Sequence, residues 1–447
     1  MQNLEISIDA DTKTLQIQEP VGAQIETKVA GGGGKAGRWL FRVLFILQLI
    51  LITILAIVLT IRGLILADRH HFQPKKWYPP LLASTGSAGI VACSWQWLTV
   101  RNPSRALKAA FWLSPLLTCA VGILFVLIES PGSLAVGVIA VIFAIIQSLY
   151  ACWVNRRFEY ASKVLSVSMS SFPTRASLLV ALSVTASVFY SSFMVSGIGG
   201  ASATSTWLDI IFISVIMLSL AWSMQVIKNV LQVTIARVRY LHFACAADMD
   251  TRVAFRDTIK FLLGNVCIGS SLVPVIVVIR GSARGMSLIA EGTDEFLFSC
   301  TNCYSQIAST LVKYGNRWGF VQVGVYNKGF VQASMDTWEM FGRVGLETLI
   351  DMDLTGVFCF LCGVTGGAIS ALVAGTWAVF IHKSYATELS FYAFLIGYFM
   401  CRIAMASPQS SVSAYYVAYA ENPNSTAFDS TIPERLQEIH RYRAYQS

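Results

Sequence analysis

The feature that most constrains this chain is a series of long apolar runs with almost no charge inside them. Val43–Ile61 contains no charged residue, and neither do Ala109–Ile128, Leu134–Val154, Ser177–Ile198 and Leu354–Ile381. A helix needs about 20 apolar residues to cross about 30 Å of hydrocarbon. In lipid the backbone polar groups have no water to bond, so each such run must be helical. Composition agrees. The 447 residues are 55% hydrophobic and 13% charged, whereas a soluble domain carries about 25% charged residues. A mean hydropathy of +0.60 excludes a soluble enzyme, a disordered chain and a disulfide scaffold.

Further runs complete the series: Leu81–Val100, which is rich in Ser and Gly, Trp207–Ile227 with Asp209, Phe261–Ile279, and Leu389–Ser407 with Arg402 near its end. The net charge of +8 fits Lys and Arg held in short loops rather than a nucleic-acid partner. Arg101, Arg105 and Lys108 follow the second run; Arg156, Arg157, Lys163 and Arg175 follow the fourth; Glu129–Ser133 and Gly199–Thr206 carry no Lys or Arg. The positive-inside rule therefore places the N-terminus and the basic loops in the cytoplasm. The first loop, with Arg62, Arg69, Lys75 and Lys76, runs against that assignment. Nine spans would leave the basic segment Arg280–Glu347 outside. A tenth crossing at Asn229–Ala246 brings it in, provided that neighbours shield Arg237, Arg239 and His242 or that a wet cavity receives them. The expectation is an all-α polytopic membrane protein of about ten transmembrane helices with both termini cytoplasmic. Residues 1–38 form a disordered N-terminal tail. Residues 39–418 form the membrane domain, with a cytoplasmic amphipathic segment at 280–353. Residues 419–447 form a C-terminal tail. Met1–Gln18 lacks a basic-then-apolar leader pattern, so the first run is expected to act as an uncleaved anchor.

Catalytic signatures are missing from the sequence. It has five His and no HExxH, no GxxxxGK[ST] phosphate loop and no GxSxG elbow, so it is expected to be neither an enzyme nor an ATPase, and to need no cofactor. Cys300/Cys303 and Cys359/Cys362 have CxxC spacing, but zinc requires four ligands, and ordinary thiols or a lipidation site suffice. Asn424-Ser425-Thr426 is a sequon that would face the cytoplasm and stay unused. Gly363, Gly366, Gly367 and Gly375 suit close helix packing. Asp351 and Asp353 suit a solvated helix start, and Trp77 and Tyr78 an interfacial aromatic belt.

Polar residues inside spans are costly and mark sites or helix contacts. Trp222, Gln225 and Asn229 are spaced by three and four, so they share one helical face. That face suits either a pathway lining or an interfacial Trp with packing amides. A quaternary ammonium cannot donate hydrogen bonds, so a pocket for it needs aromatic faces.

Several blocks together resemble the choline transporter-like family. They are Gln225-Val226-Ile227-Lys228-Asn229-Val230; Ala254-Phe255 with Leu263–Ser270; Tyr314-Gly315-Asn316-Arg317-Trp318 with Val321–Phe330; and Tyr415-Tyr416-Val417-Ala418-Tyr419-Ala420-Glu421-Asn422-Pro423. The likeness covers roughly 205–445. This sequence departs from the family pattern at Gln232, where His is common, at Arg237, where Gly is common, and at Asn327. Its short first loop, Arg62–Pro80, is similar to that of compact plant members. The resemblance implies ten spans and movement of choline or a related amine without ATP, in the plasma membrane or an endomembrane. On that reading Trp222, Gln225 and Asn229 line the path, Tyr190 or Tyr240 completes an aromatic cage, and Tyr326 and Trp338 gate or brace it. A non-transporting membrane protein that organises trafficking or lipid composition is the alternative. A membrane enzyme acting on lipid head groups is a third reading, weakened by the missing catalytic constellation.

Overall fold

A computed structural model describes residues 31–66, 73–203, 207–290, 295–423, 425 and 428–446. Seventeen α-helices and no strand occur among them: α1 Gly31–Leu66, α2 Pro74–Arg101, α3 Pro103–Ile128, α4 Pro131–Val154, α5 Phe158–Met169, α6 Thr174–Ser202, α7 Leu208–Cys245, α8 Thr251–Asp257, α9 Leu263–Ala290, α10 Glu295–Tyr314, α11 Gly319–Tyr326, α12 Phe330–Val344, α13 Glu347–Asp351, α14 Thr355–Ile381, α15 Ala386–Ala404, α16 Ala406–Glu421 and α17 Thr431–Gln446. A π-helical turn, Thr258–Leu262, joins α8 to α9. The molecule is an all-α polytopic membrane protein.

Local chemistry explains where helices start and stop. Proline opens α2, α3 and α4 at positions whose N–H would be unbonded anyway. Ser130 and Ser133 cap α4 reciprocally, each side chain accepting the other's backbone N–H at 3.1 Å. Ala246, Asn327 and Gly345 end α7, α11 and α12 in the left-handed region, with φ of 50°, 53° and 74°.

The burial pattern is that of a protein dissolved in lipid. On α4 the inward face is small or polar (Gly137, Ala144, Gln147, Ala151), and Gln147 accepts a buried hydrogen bond from Ser114 at 2.8 Å. The outward face carries exposed Leu134, Ile139, Ile142, Ile146 and Leu149, the inverse of a water-soluble helix.

Seven helical segments are long and apolar enough to cross a membrane, or eight if α15 and α16, bent by 42° at their junction, make one span. The sequence reading named ten, and two differences account for most of the gap. Residues 229–246 are not a separate crossing: they continue α7, an unbroken helix of 38 residues, about 57 Å long at 1.5 Å per residue. No turn residue interrupts Ile227-Lys228-Asn229, so nothing reverses the chain there. Leu81–Val100 lies in α2, a helix of 28 residues too polar to qualify by composition. It packs against α6, α14 and α15, where polar side chains meet protein instead of lipid.

Two smaller expectations also change. Helix α1 begins at Gly31, so part of the stretch 1–38 assigned to a tail is helical. Trp77 is wholly buried in the core rather than set in an interfacial belt, and Tyr78 donates to the Ser196 carbonyl at 3.1 Å.

Within 280–353 the described residues form the end of α9 and the helices α10–α13. Helix α12 buries Phe330, Ala333, Ser334, Thr337 and Phe341, one stripe at helical spacing. The arginines of the long α7 find protein partners. Arg239 is fully buried and donates to the carbonyls of Ser168, Ser170 and Ser171 at 2.7, 2.9 and 3.2 Å. It thereby satisfies the orphan carbonyls at the end of α5, and its guanidinium lies 4.5 Å from the Phe243 ring. Arg237 pairs with Asp257 at 3.3 Å.

Candidate functional site

A cavity of about 1200 Å³ opens between α1, α7, α9, α14 and α15 and the α10–α11 junction. Helix α7 supplies its polar spine, with Trp222, Gln225, Lys228, Asn229 and Gln232 all lining it. Spacings of three and four put these side chains on one face. Asn229 donates to the Ser270 hydroxyl at 2.9 Å, and Ser270 in turn donates to Val266 O at 2.7 Å. Pro274, one turn on, has no N–H to donate to the Ser270 carbonyl. Lys228 is 4% exposed, and its ammonium has two long contacts, at 3.4 Å to Asn229 Oδ1 and 3.4 Å to Gln232 Oε1. The Trp222 ring is held edge-on by Phe45 at 5.6 Å.

The opposite wall is built around Arg317. Asn316 folds the short α10–α11 junction: its Nδ2 donates to Ser334 O at 2.9 Å, and its Oδ1 accepts the Gly319 N–H at 2.9 Å. That junction aims Arg317 at Asp353, and the two form an ion pair in which the Asp353 side chain is 3% exposed. Asp353 also accepts from the Thr355 hydroxyl at 2.7 Å. Gly356 gives the guanidinium its space, since a Cβ there would collide with Arg317 Nη1. The same guanidinium lies 4.6 Å from the Trp318 ring centroid, and Gln232 donates to the Arg317 carbonyl at 3.2 Å. Arg402 and Gln409, either side of the α15–α16 bend, also line the cavity.

The structure brings together Trp222, Gln225 and Asn229. It sets the other candidate residues apart from them. Tyr190, on α6, donates to the Ser223 hydroxyl at 3.1 Å and is not a lining residue of the cavity. Tyr240 and Tyr326 form a second polar cluster: their hydroxyls are 3.0 Å apart and both reach Glu421 Oε2, Tyr326 at 3.0 Å. Burial, and after it the Glu421 charge, pushes the Tyr326 phenol up. Trp338 is half-buried on α12, packed against the core away from the cavity.

Sequence reasoning missed Lys228, Arg317, Asp353, Arg402 and Gln409 as lining residues. Asp353 is ion-paired and buried rather than at a solvated helix start; the side chain of Asp351 lies outside the described residues. The available signal was Arg402, a charge inside an apolar run. Gly363, Gly366, Gly367 and Gly375 do pack closely on α15 and its surroundings. Cys359 and Cys362 are buried free thiols, and Cys303 is exposed; the Cys300 side chain and Asn424 lie outside the described residues.

Residues 138–424 match the family described as plasma-membrane choline transporter. Protein PNS1 of Mycosarcoma maydis is 25% identical over 321 residues, covering 65% of this chain and 60% of that protein. Protein pns1 of Aspergillus fumigatus is 28% identical over 218 residues, covering 45% and 41% respectively. A CTL-like protein of Dictyostelium discoideum is 22% identical over 311 residues, covering 66% and 55%. The chain thus spans about half the length of these relatives, between 41% and 60%.

Proposed function

The chain belongs to the choline transporter-like family, and from that premise we propose that it is a transporter, not an enzyme, carrying choline or a related organic amine across the plasma membrane or an endomembrane without ATP hydrolysis. The observation that carries this reading is the cavity itself. It lies among helices long enough to cross a bilayer, lined outside the matched region only by α1 residues, with Trp222, Gln225 and Asn229 on one wall. Among the cavity's mostly apolar walls, Gln225, Lys228, Asn229 and Gln232 stand out, because polar side chains inside a membrane bundle are costly and mark functional sites. Trp222 offers an aromatic face for an ammonium, an interaction of about 2 kcal/mol when desolvated.

The test is uptake of labelled choline by proteoliposomes containing the purified protein. A saturable component is expected, and Trp222→Ala should reduce it about thirtyfold, the equivalent of about 2 kcal/mol, while the variant still inserts. Undiminished uptake by that variant rejects the site. Wild-type protein that moves no choline under any imposed gradient rejects transport and favours the membrane-organising alternative.

A further inference from the structure

Helices α2 and α6 run antiparallel. Gln96, near the end of α2, donates to the Ser177 carbonyl near the start of α6 at 3.1 Å, and Tyr78, near the start of α2, bonds Ser196 near the end of α6. Between them lies an open groove of about 560 Å³ that shares no lining residue with the large cavity. Gly86, Gly89, Cys93 and Trp97 line it from α2, and Val184 and Val188 from α6. Gly89 lets α6 come close, since a Cβ there would lie 2.7 Å from Val188 Cγ2; beside Gly86 a Cβ would meet nothing within 4 Å. The wall hydroxyls are already used: Ser94 donates to Ile90 O at 2.8 Å and Thr185 to Ala181 O at 3.0 Å. The groove therefore offers an apolar surface with its polar groups satisfied. Ile90 and Phe189 on its walls are exposed, and α6 is long and apolar enough to cross a membrane, so lipid hydrocarbon is the medium that meets them. The basic end of α2 gives the groove a direction. Ile90, Ser94, Trp97 and Arg101 recur at spacings of four, three and four, which is one face of the helix. The Arg101 guanidinium lies 5.7 Å from the Trp97 ring centroid, and a guanidinium over a ring keeps its in-plane N–H groups for a phosphate. Among the described residues no ion pair involves Arg101, whereas Arg175 at the start of α6 is tied to Asp250 at 3.1 Å. Arg105 and Lys108 follow, both exposed. The positive-inside rule assigns such an end to the cytoplasmic leaflet, where anionic lipids are held.

We propose that this groove binds one anionic phospholipid, with an acyl chain lying along Gly86–Trp97 and the phosphate received by Arg101. Charge complementarity selects the headgroup. A zwitterionic lipid would bring its own ammonium toward Arg101, Arg105 and Lys108, and an anionic one brings none. The site is independent of what the large cavity carries.

The test is native mass spectrometry of the full chain in detergent, titrated with phosphatidylglycerol or with phosphatidylcholine of the same acyl chains. One phosphatidylglycerol is expected to be retained about fivefold more tightly than phosphatidylcholine, the effect of about one basic residue near a membrane surface. Arg101→Gln should bring that ratio to near one. Gly86→Leu fills the groove where there is space for a side chain, and should weaken both lipids about equally. Should Gly86→Leu not fold, the wild-type ratio and Arg101→Gln decide alone. A fivefold preference that survives Arg101→Gln overturns the inference, as does undiminished phosphatidylglycerol binding by Gly86→Leu. Several equally weak lipid adducts, with no single tight one, also overturn it. A dimer lost in Gly86→Leu with lipid binding unchanged assigns the groove to a second copy of the chain and overturns it too.

Discussion

Two regions of the membrane bundle solve the packing problem in opposite ways. Where α14 crosses α15, the backbones nearly touch. A Cβ on Gly397 would lie 2.6 Å from the Gly366 carbonyl oxygen, and one on Gly367 would lie 2.7 Å from Phe394 O. Such contact leaves no room for a methyl group, and in lipid, where apolar burial does not drive helices together, close van der Waals packing holds them. Across the bundle, α7 stands back from α9 and the α10–α11 junction and leaves about 1200 Å³. That region is held by directed polar contacts: the Arg317–Asp353 pair, and Asn229 on Ser270. Arg402 lines the cavity from α15, and its Cδ would lie 3.0 Å from a Cβ on Gly363 of α14. The glycine-packed half is thereby the frame on which a chemically active wall is mounted.

That contrast predicts which substitutions harm folding and which harm function. The largest expected effect is at Asp353→Asn. Removing one partner of a buried pair leaves the other charge uncompensated and costs about 3–5 kcal/mol, to be read as a lowered unfolding midpoint in detergent. An unchanged midpoint would mean that the cavity wall does not depend on this pair. Next comes Gly397→Val, an overpacking change of about 1–3 kcal/mol. It should lower the yield of monodisperse protein while the surviving fraction binds ligand with wild-type affinity; altered affinity would blur the division between frame and site. Tyr326→Phe removes a hydroxyl from the Tyr240–Tyr326–Glu421 cluster, none of whose members lines the cavity, at a cost of about 1 kcal/mol, again visible in thermal unfolding.

The smallest effect lies at the surface. The hydrogen bond from Lys383 to Glu129, 2.9 Å long, together with its charge, holds that carboxyl below its ordinary 4.5. A lowered folded value stabilises above the unfolded one, so the contribution is full above the ordinary carboxylate range and fades as pH falls through the folded value. Glu129→Gln should slightly flatten the acid limb of a stability profile, and added salt should do the same in the wild type. A steeper acid limb in the variant would contradict the assignment.

Much of this was legible in the amino-acid order, because helical periodicity is local. The apolar runs, the Trp222–Gln225–Asn229 face and the glycine contacts of α14 all follow from spacing within one helix. Helix count was less legible. A helix longer than one crossing needs, as α7 is with 38 residues, looks like two spans when length alone is counted. A polar helix sheltered by others, as α2 is, looks like a poor one. Asp353 was misread for a related reason: next to an apolar run a carboxylate looks like a helix start, and only its partner reveals a buried pair.

What the sequence by itself determined is the solvent and the secondary structure: lipid, helices, and the polar face of α7. Each follows from residues within a turn or two of one another. The tertiary structure alone decided which charges meet. Arg317 and Asp353 are 36 positions apart, and Tyr326 and Glu421 are 95. Such pairs carry no periodic signature, because their proximity depends on how whole helices cross. The positive lining of the cavity is the sum of such crossings, contributed by α7, α9, the α10–α11 junction and α15.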